Sequence, residues 1–257
     1  MVRGLDKFKE YFKEYPGNYV IIGGTACDMI IGEAGFTPRA TKDIDIILVV
    51  EAISKEFVKQ FWKFIQDGNY ERREKSAEER KYYRFMKPAN TEFPFQIELF
   101  SRKPGLIDLE EGARLTPIPV DDDLSSLSAI LLQDDYYKYM LEHSILENGL
   151  HRSNTEALIC MKAKAWLEIT ERIAKGSKED SKQLRKHKAD VFRLAVTLAD
   201  KDVFKLPENI KKHLQSFADA IADDLPDKAI FKEMGMNNMQ VENVFEQILK
   251  SFRLNKK

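Results

Sequence analysis

Cysteine is scarce in this chain, which has two in 257 residues. Cys27 and Cys160 each lie within an apolar segment, and the N-terminus lacks the basic start and apolar core of a secretory signal. These absences argue against a disulfide-stabilised secreted protein, so we expect a reduced, cytoplasmic one. No apolar run approaches the roughly 20 residues that a membrane-spanning helix needs, and we expect no membrane partner.

An excess of charge of either sign is also missing, because 41 basic residues stand against 42 acidic ones and give a formal net charge of −1. This balance excludes a general attraction to polyanions, and any binding of nucleic acid would have to be local. Repeats and low-complexity tracts are absent as well. With 43% hydrophobic and 32% charged residues, the composition is typical of one large or two modest globular domains.

The chain changes character near residue 120. Before this point, short β-rich runs alternate with helical patterns, as in NYVIIGG, DIDIILVV, SKEFVKQFWKFIQ, KYYRFMK and FPFQIELF. After LTPIPVDDD, the apolar spacing predicts helices up to the end. We therefore expect an α+β protein with one domain over 1–120 and a helical domain over 121–257.

Two long helices are predicted in the second half. SNTEALICMKAKAWLEITERI begins with cap-forming residues and ends near Gly176, and SKQLRKHKADVFRLAVTLAD follows it. In the first half, the mixed-charge run ERREKSAEERK at 71–81 is interpreted as a surface connection between two strands.

The stretch IIGGTACDMI places Gly23, Gly24 and Thr25 between a predicted strand and a predicted helix. A helix that begins there offers unpaired backbone N–H groups and the positive end of its dipole to an anion, and glycine lets a phosphate approach closely. Thr25 could cap the helix or contact that phosphate. Tight strand-to-helix turns also use glycine for geometry alone, so both interpretations stay open.

The segment KDIDI places two carboxylates on one face of a strand. Because strand side chains alternate, Asp43 and Asp45 lie on the same face, roughly 6.6 Å apart along the backbone. Magnesium ions in phosphoryl-transfer sites use one or two carboxylates with phosphate oxygens and water. The alternative is an edge strand whose acids simply face solvent.

In order and spacing, a strand, Gly-Gly-Thr, a helix and Asp-Ile-Asp resemble the signature of the DNA polymerase β nucleotidyltransferase superfamily. GGTA followed by TKDIDI is most similar to small bacterial nucleotidyltransferases of the AbiEii type, some of which are toxins paired with an antitoxin. The resemblance implies a mixed sheet with flanking helices, followed by a helical bundle. It also implies that Gly23, Gly24, Thr25 and Lys42 bind a nucleoside triphosphate, and that Asp43 and Asp45 bind Mg²⁺ or Mn²⁺.

The superfamily often completes its metal site with a third acid from a neighbouring strand. In FPFQIELF, Glu98 is the candidate, because alternation sends Ile97 and Leu99 to the opposite face. A role as metal ligand or base is implied by the resemblance. The alternative is a solvated residue on a half-buried strand.

The resemblance extends to Lys162 and Asp190 in the helical half, through Lys-x-x-Ala spacing in KAKA and an acid in KHKADVF. Lys162 lies on a largely apolar stripe of its helix. The resemblance implies that Lys162 neutralises the charge of the triphosphate and that Asp190 orients the triphosphate or the acceptor. Alternatively, Lys162 extends its ammonium to solvent and Asp190 pairs with Arg193. Periodicity does not separate Lys162 from Lys164, and only the family pattern favours Lys162.

His187 lies in a basic helix, and we interpret it as a surface residue rather than a catalytic base. The basic segment from Lys175 to Lys188 could guide a polyanion, although a solvated helix end explains it equally well.

These features together predict a nucleotidyltransferase with its active site in the cleft between two domains. Two metal ions would align an acceptor hydroxyl with the α-phosphate of a nucleoside triphosphate and support the departing pyrophosphate. The acceptor could be RNA, a protein or a small molecule, and an antitoxin protein is a further possible partner. The alternative is a non-catalytic nucleotide-binding or antitoxin-binding module that keeps the fold.

Overall fold

The computed structural model describes residues 2–71, 82–100, 130–131, 133–177 and 181–256. The N-terminal half contains α1 (Leu5–Phe12), β1 (Tyr19–Ile22), α2 (Gly23–Glu33), β2 (Asp43–Leu48), α3 (Lys55–Gly68), β3 (Tyr82–Met86) and β4 (Gln96–Phe100). After these come α4 (Asp134–Glu142), β5 (Ser144–Glu147), β6 (Leu150–Ser153), α5 (Thr155–Ala174), α6 (Ser181–Ala195), α7 (Glu208–Ile221), α8 (Ala229–Glu233) and α9 (Val241–Ser251).

The six strands found in the described residues form one mixed sheet in the order β3-β4-β2-β1-β6-β5. Strand β1 runs antiparallel to β2 and parallel to β6, and β2 runs parallel to β4. Strands β3 and β5 are antiparallel to β4 and β6. The expected α+β class, with a mixed sheet and flanking helices, is therefore confirmed.

The predicted elements of the first half form where the sequence places them. Strand β1 is an apolar run buried along its whole length. Helix α3 begins after Ser54, whose Oγ accepts a hydrogen bond from the Phe57 amide at 3.1 Å, and it ends at Asn69 in the left-handed region. The mixed-charge run predicted to connect two strands falls on 71–81, of which 72–81 lie outside the described residues.

Aromatic rings join α1, α3 and β1. Phe64, fully buried, has its ring centroid 5.8 Å from Phe8 and 5.3 Å from Phe12. Phe8 in turn contacts Tyr19 of β1 edge-on at 5.2 Å. Since aromatic side chains bury large apolar areas, this cluster anchors both helices to the strand that precedes Gly23.

The prediction that the second half is helical throughout is wrong for one segment, the hairpin of β5 and β6. Its turn uses Asn148 and Gly149, both with positive φ (51° and 75°), as the tight turn between antiparallel strands requires. The signal was present as Asn-Gly in LENGLHR, but the flanking strands have only four residues each. Strand β6 pairs with β1 and extends the sheet.

The two long helices predicted for the second half are confirmed. Helix α5 covers Thr155–Ala174 and ends just before Gly176, whose φ is +92°. Helix α5 packs against α6 and α7, with Trp166 edge-on to Phe217 at 5.4 Å. The bundle arrangement implied by the family resemblance stays a prediction.

The chain divides into two compact units. The sheet unit comprises Met1–Asp28, Ala40–Asp121 and Ser144–Ser153, and the helical unit comprises Met29–Arg39, Asp122–His143 and Asn154–Lys257. The division follows spatial packing, so each unit draws on more than one chain segment. The predicted boundary between 120 and 121 lies outside the described residues.

Within the described ranges, no helix combines the length and apolar character needed to cross a membrane.

Candidate functional site

Asp43 and Asp45 lie on β2 with the predicted alternation. Both are partly exposed, whereas Ile44 and Ile46 are buried. The two carboxylates therefore share one face of the sheet unit, and the apolar side chains between them hold the strand in the core.

Glu98 lies on the neighbouring strand, directly beside Asp45. Strands β2 and β4 are parallel, and their register pairs Asp45 with Glu98 and Asp43 with Gln96. Only 6% of Glu98 is exposed, so the alternative of a solvated residue is wrong. Its Oε1 accepts hydrogen bonds from Arg84 Nε at 2.9 Å and from the Gln96 side-chain amide.

The pKa of Glu98 depends on both neighbouring acids, Asp45 and Asp43. Burial and then the negative charge of Asp45 raise its pKa to about 8, with a smaller contribution from Asp43, while Arg84 acts in the opposite direction. The single arginine therefore does not offset the burial and the neighbouring carboxylates. Glu98 holds a proton near neutral pH unless another cation approaches.

Gly23 allows Asp45 to approach the start of α2. Its φ is +66°, and a Cβ built there would lie 1.7 Å from Asp45 Oδ2. An L side chain at this position would be strained and would also displace the carboxylate. The sequence left two roles open for Gly23, phosphate binding and turn geometry. The structure shows a geometric role, because the missing side chain lets the Asp45 carboxylate lie at the N-terminus of α2.

Thr25 links the same helix to β2. It is fully buried, and its Oγ1 donates a hydrogen bond of 2.5 Å to the Asp43 carbonyl. Because the hydroxyl is used inside the protein, phosphate binding by Gly23, Gly24 and Thr25 would depend on the backbone N–H groups of the first turn. Lys42 is exposed and directly precedes Asp43.

The donor atoms of Asp43 and Asp45 suit a hard divalent cation. Mg²⁺ is held in such sites by one or two carboxylates together with substrate phosphates and water. The described residues contain no group of three or more His, Cys, Asp and Glu side chains arranged to hold a metal ion. Glu98 is paired with Asp45 in the register of β2 and β4, but its carboxyl group already accepts hydrogen bonds from Arg84 and Gln96.

Lys162 and Asp190, both predicted from the family pattern, form a buried ion pair in the helical unit. Lys162 Nζ lies 3.0 Å from Asp190 Oδ2, and the two side chains are only 2% and 1% exposed. The alternative in which the Lys162 ammonium reaches solvent is therefore wrong. Lys164 instead contacts His213 at 3.4 Å and Glu168 at 3.5 Å.

Asp190 also receives two arginines. Arg39 Nε lies 2.9 Å from its Oδ1, and Arg193 Nη1 lies 3.6 Å from the same oxygen. Burial alone would raise the pKa of Asp190, but Lys162 and Arg39 outweigh it and hold this pKa well below its usual range. The carboxylate is thus an anion surrounded by three cations. The proposed roles of Lys162 and Asp190 toward substrate stay predictions.

His187 is not the surface residue that its basic helix suggested, because it is only 8% exposed. Burial and then the charge of Lys162 lower its pKa well below its ordinary value of 6.5, so the ring is neutral at pH 7. Its Nδ1 has no hydrogen-bond partner within the part of the chain that the structure describes.

The basic segment Lys175–Lys188 is partly engaged in ion pairs. Lys188 Nζ contacts Asp224 at 2.7 Å, and Lys175 contacts Glu171 at 2.5 Å. Residues 178–180 of this segment lie outside the described residues. These pairs reduce the positive charge that the segment could offer to a polyanion.

Two arginines beside the predicted acids were missed in the sequence. Arg84 lies opposite Glu98 in the antiparallel pairing of β3 and β4, and an arginine inside the mostly apolar run YYRFM was the available signal. Arg39 is 151 residues from Asp190 in the sequence, and no local pattern connects them.

No family model matches the chain, and no curated protein matches it at a significant level.

The role of Gly23 predicts a sensitive position. Replacing it by Ala should lower the free energy of unfolding by about 1–3 kcal/mol through the left-handed backbone alone, and displacement of Asp45 adds to this. Gly32→Ala is the matched control in the same helix, because a Cβ there meets nothing within 4 Å. It should be neutral or stabilise by up to about 1 kcal/mol. Equal unfolding free energies for the two variants in urea titrations would contradict this role.

The raised pKa of Glu98 predicts a pH-dependent stability. Between its ordinary pKa of 4.5 and about 8, Glu98 binds more protons in the folded state than in the unfolded state, so its contribution to the free energy of unfolding should fall as pH rises. Glu98→Gln should flatten this slope between about pH 5 and about pH 8. The exposed-acid variant Glu92→Gln should leave the slope intact. Chemical denaturation without added divalent cations tests this, and an unchanged slope in Glu98→Gln would refute it.

The cation-rich surroundings of Asp190 predict an order of stabilities. Asp190→Asn removes the carboxylate that Lys162, Arg39 and Arg193 contact, although Arg193 keeps its ion pair with Glu233, and should cost about 3–5 kcal/mol of unfolding free energy. Lys162→Met should cost less, because Asp190 keeps Arg39. Unfolding titrations of both variants measure this order, and a larger loss for Lys162→Met would show that Lys162 does more than offset the charge of Asp190.

Proposed function

We propose that this chain is a Mg²⁺-dependent nucleotidyltransferase that transfers a nucleoside monophosphate from a nucleoside triphosphate to an acceptor hydroxyl. The observation that supports this proposal best is the approach of the Asp45 carboxylate to Gly23 at the start of α2. A helix N-terminus favours phosphate, and paired carboxylates favour the divalent cation that accompanies phosphate. Both preferences meet at one point of the sheet unit.

In this proposal, Asp43 and Asp45 hold the Mg²⁺. When bound, the cation neutralises phosphate charge and supports the leaving pyrophosphate. The partial exposure of both acids on the same strand face leaves them accessible to a nucleotide. The backbone amides at residues 23–25 would bind phosphate oxygens. The hydrogen bond from Thr25 to the Asp43 carbonyl holds the start of α2 next to the strand that carries the two acids.

Glu98 would then accept and release a proton near the reacting groups. Its pKa of about 8 lies close to physiological pH, where a carboxyl group can both take up and release a proton. The hydrogen bond from Arg84 fixes the orientation of the carboxyl. A nearby cation would favour its ionised form, so nucleotide and metal binding would release a proton from Glu98.

The experiment is to incubate the protein with each labelled nucleoside triphosphate, Mg²⁺ and cell extract, and to identify the labelled fraction as RNA, protein or small molecule. Asp45→Asn should reduce transfer at least about a hundredfold, because a bound metal ion contributes several kcal/mol to such reactions. It should keep the fold and gain slightly in metal-free stability, because a carboxylate beside Asp43 and Glu98 is removed.

Glu92→Gln, which also removes one exposed acid of the sheet unit, is the matched control and should keep full activity. Wild-type turnover in Asp45→Asn would overturn the proposal. Nucleotide binding that depends on Mg²⁺ and Asp45, without any labelled product, would instead establish the non-catalytic nucleotide-binding alternative.

A further inference from the structure

A cavity of about 330 Å³ lies in the helical unit, between α7, α9 and the chain that follows each of them. Its floor is apolar and includes Phe245 and Leu249 from α9 and Ala218 from α7. This volume is typical of a site for a small molecule and is modest for a peptide segment.

The rim of this cavity is strongly acidic. The described residues that line it include four acids, namely Asp219, Asp223, Glu242 and Glu246, and one basic residue, Lys256. The acids form two pairs with a spacing of four residues, one pair from each side of the apolar floor. Glu242 and Glu246 both lie on α9, where residues four apart are about 6 Å apart along the helix axis, while Asp219 lies in the last turn of α7 and Asp223 just after that helix ends.

The existing contacts show which charge the rim attracts. Lys256 forms an ion pair with Glu246, so one side chain of the protein itself already binds a rim carboxylate through an ammonium group. Asp219 accepts a hydrogen bond from the Gln215 amide at 2.8 Å. Asp223 and Glu242 have no ion-pair or hydrogen-bond partner within the residues that the structure describes, which leaves a local excess of negative charge.

We propose that this cavity binds a linear polyamine, with its ammonium groups on the rim carboxylates and its methylene groups on the apolar floor. A metal ion would use the charge but not the floor, and an apolar ligand would use the floor but not the charge. An alkyl chain with ammonium groups matches both, as a lysine side chain does when its stem covers apolar surface. This site lies in the helical unit and is independent of the proposed nucleotidyl transfer.

Spermidine is the probe, and isothermal titration calorimetry of the full chain measures its binding. Glu242→Gln should raise the Kd roughly fivefold, the upper range for an exposed ion pair, and addition of Asp223→Asn should raise it further. Glu208→Gln is the matched control, because this exposed acid lies in the first turn of α7 as Glu242 does in that of α9, carries the same charge and does not line the cavity. It should leave the Kd unchanged.

Hexaamminecobalt(III) carries the same three charges as spermidine but no methylene groups, and it should bind more weakly at equal ionic strength. Equal affinity for the two probes, or equal effects of Glu242→Gln and Glu208→Gln, would overturn the proposal and indicate a general attraction of cations to an acidic surface. Binding of an oligolysine peptide that depends on Glu242, without binding of spermidine, would also overturn it and indicate a basic protein partner.

Discussion

The close approach of the Asp45 carboxylate to Gly23 is the constraint on which the candidate site depends. Strand β1 passes directly into α2 at this glycine, and β2 runs antiparallel beside β1, so the acid strand and the helix start meet at one place. A Cβ on residue 23 would occupy the space of Asp45 Oδ2. The site therefore requires a residue without a side chain, and the backbone cost of glycine is offset by bringing an acid to a helix N-terminus.

The two units contain ionic clusters of opposite character. In the sheet unit, Asp43, Asp45 and Glu98 outnumber Arg84, and together with burial they raise the pKa of Glu98. In the helical unit, Lys162 and Arg39 lower the pKa of Asp190 despite its burial. A bound cation would reduce the electrostatic repulsion within the acid-rich cluster, whereas the cation-rich cluster keeps its carboxylate ionised. The same physical effects thus predict opposite responses to pH and to added metal ions.

Much of the secondary structure follows from local patterns. The apolar runs and the alternation around Asp43 and Asp45 correctly predicted the strands of the first half, and helical spacing predicted α3, α5 and α6. The hairpin of β5 and β6 was missed because two four-residue strands carry little periodicity, and only the Asn-Gly turn marked them. The burial of His187 was missed because a basic helix gives no local sign of which face becomes interior.

The available chemistry could be read from the amino-acid sequence: a glycine pair before a helix, two acids on one strand face, a third acid on a later strand, and a lysine and an acid on later helices. These follow from residue type and spacing, which act over a few residues. The placement of Glu98 beside Asp45 and Arg84, and of Arg39 beside Asp190, depends on long-range packing and could not be read from the sequence. Strand order and helix packing bring together residues that are distant in the chain, and the resulting burial and charge determine the pKa of each carboxyl group.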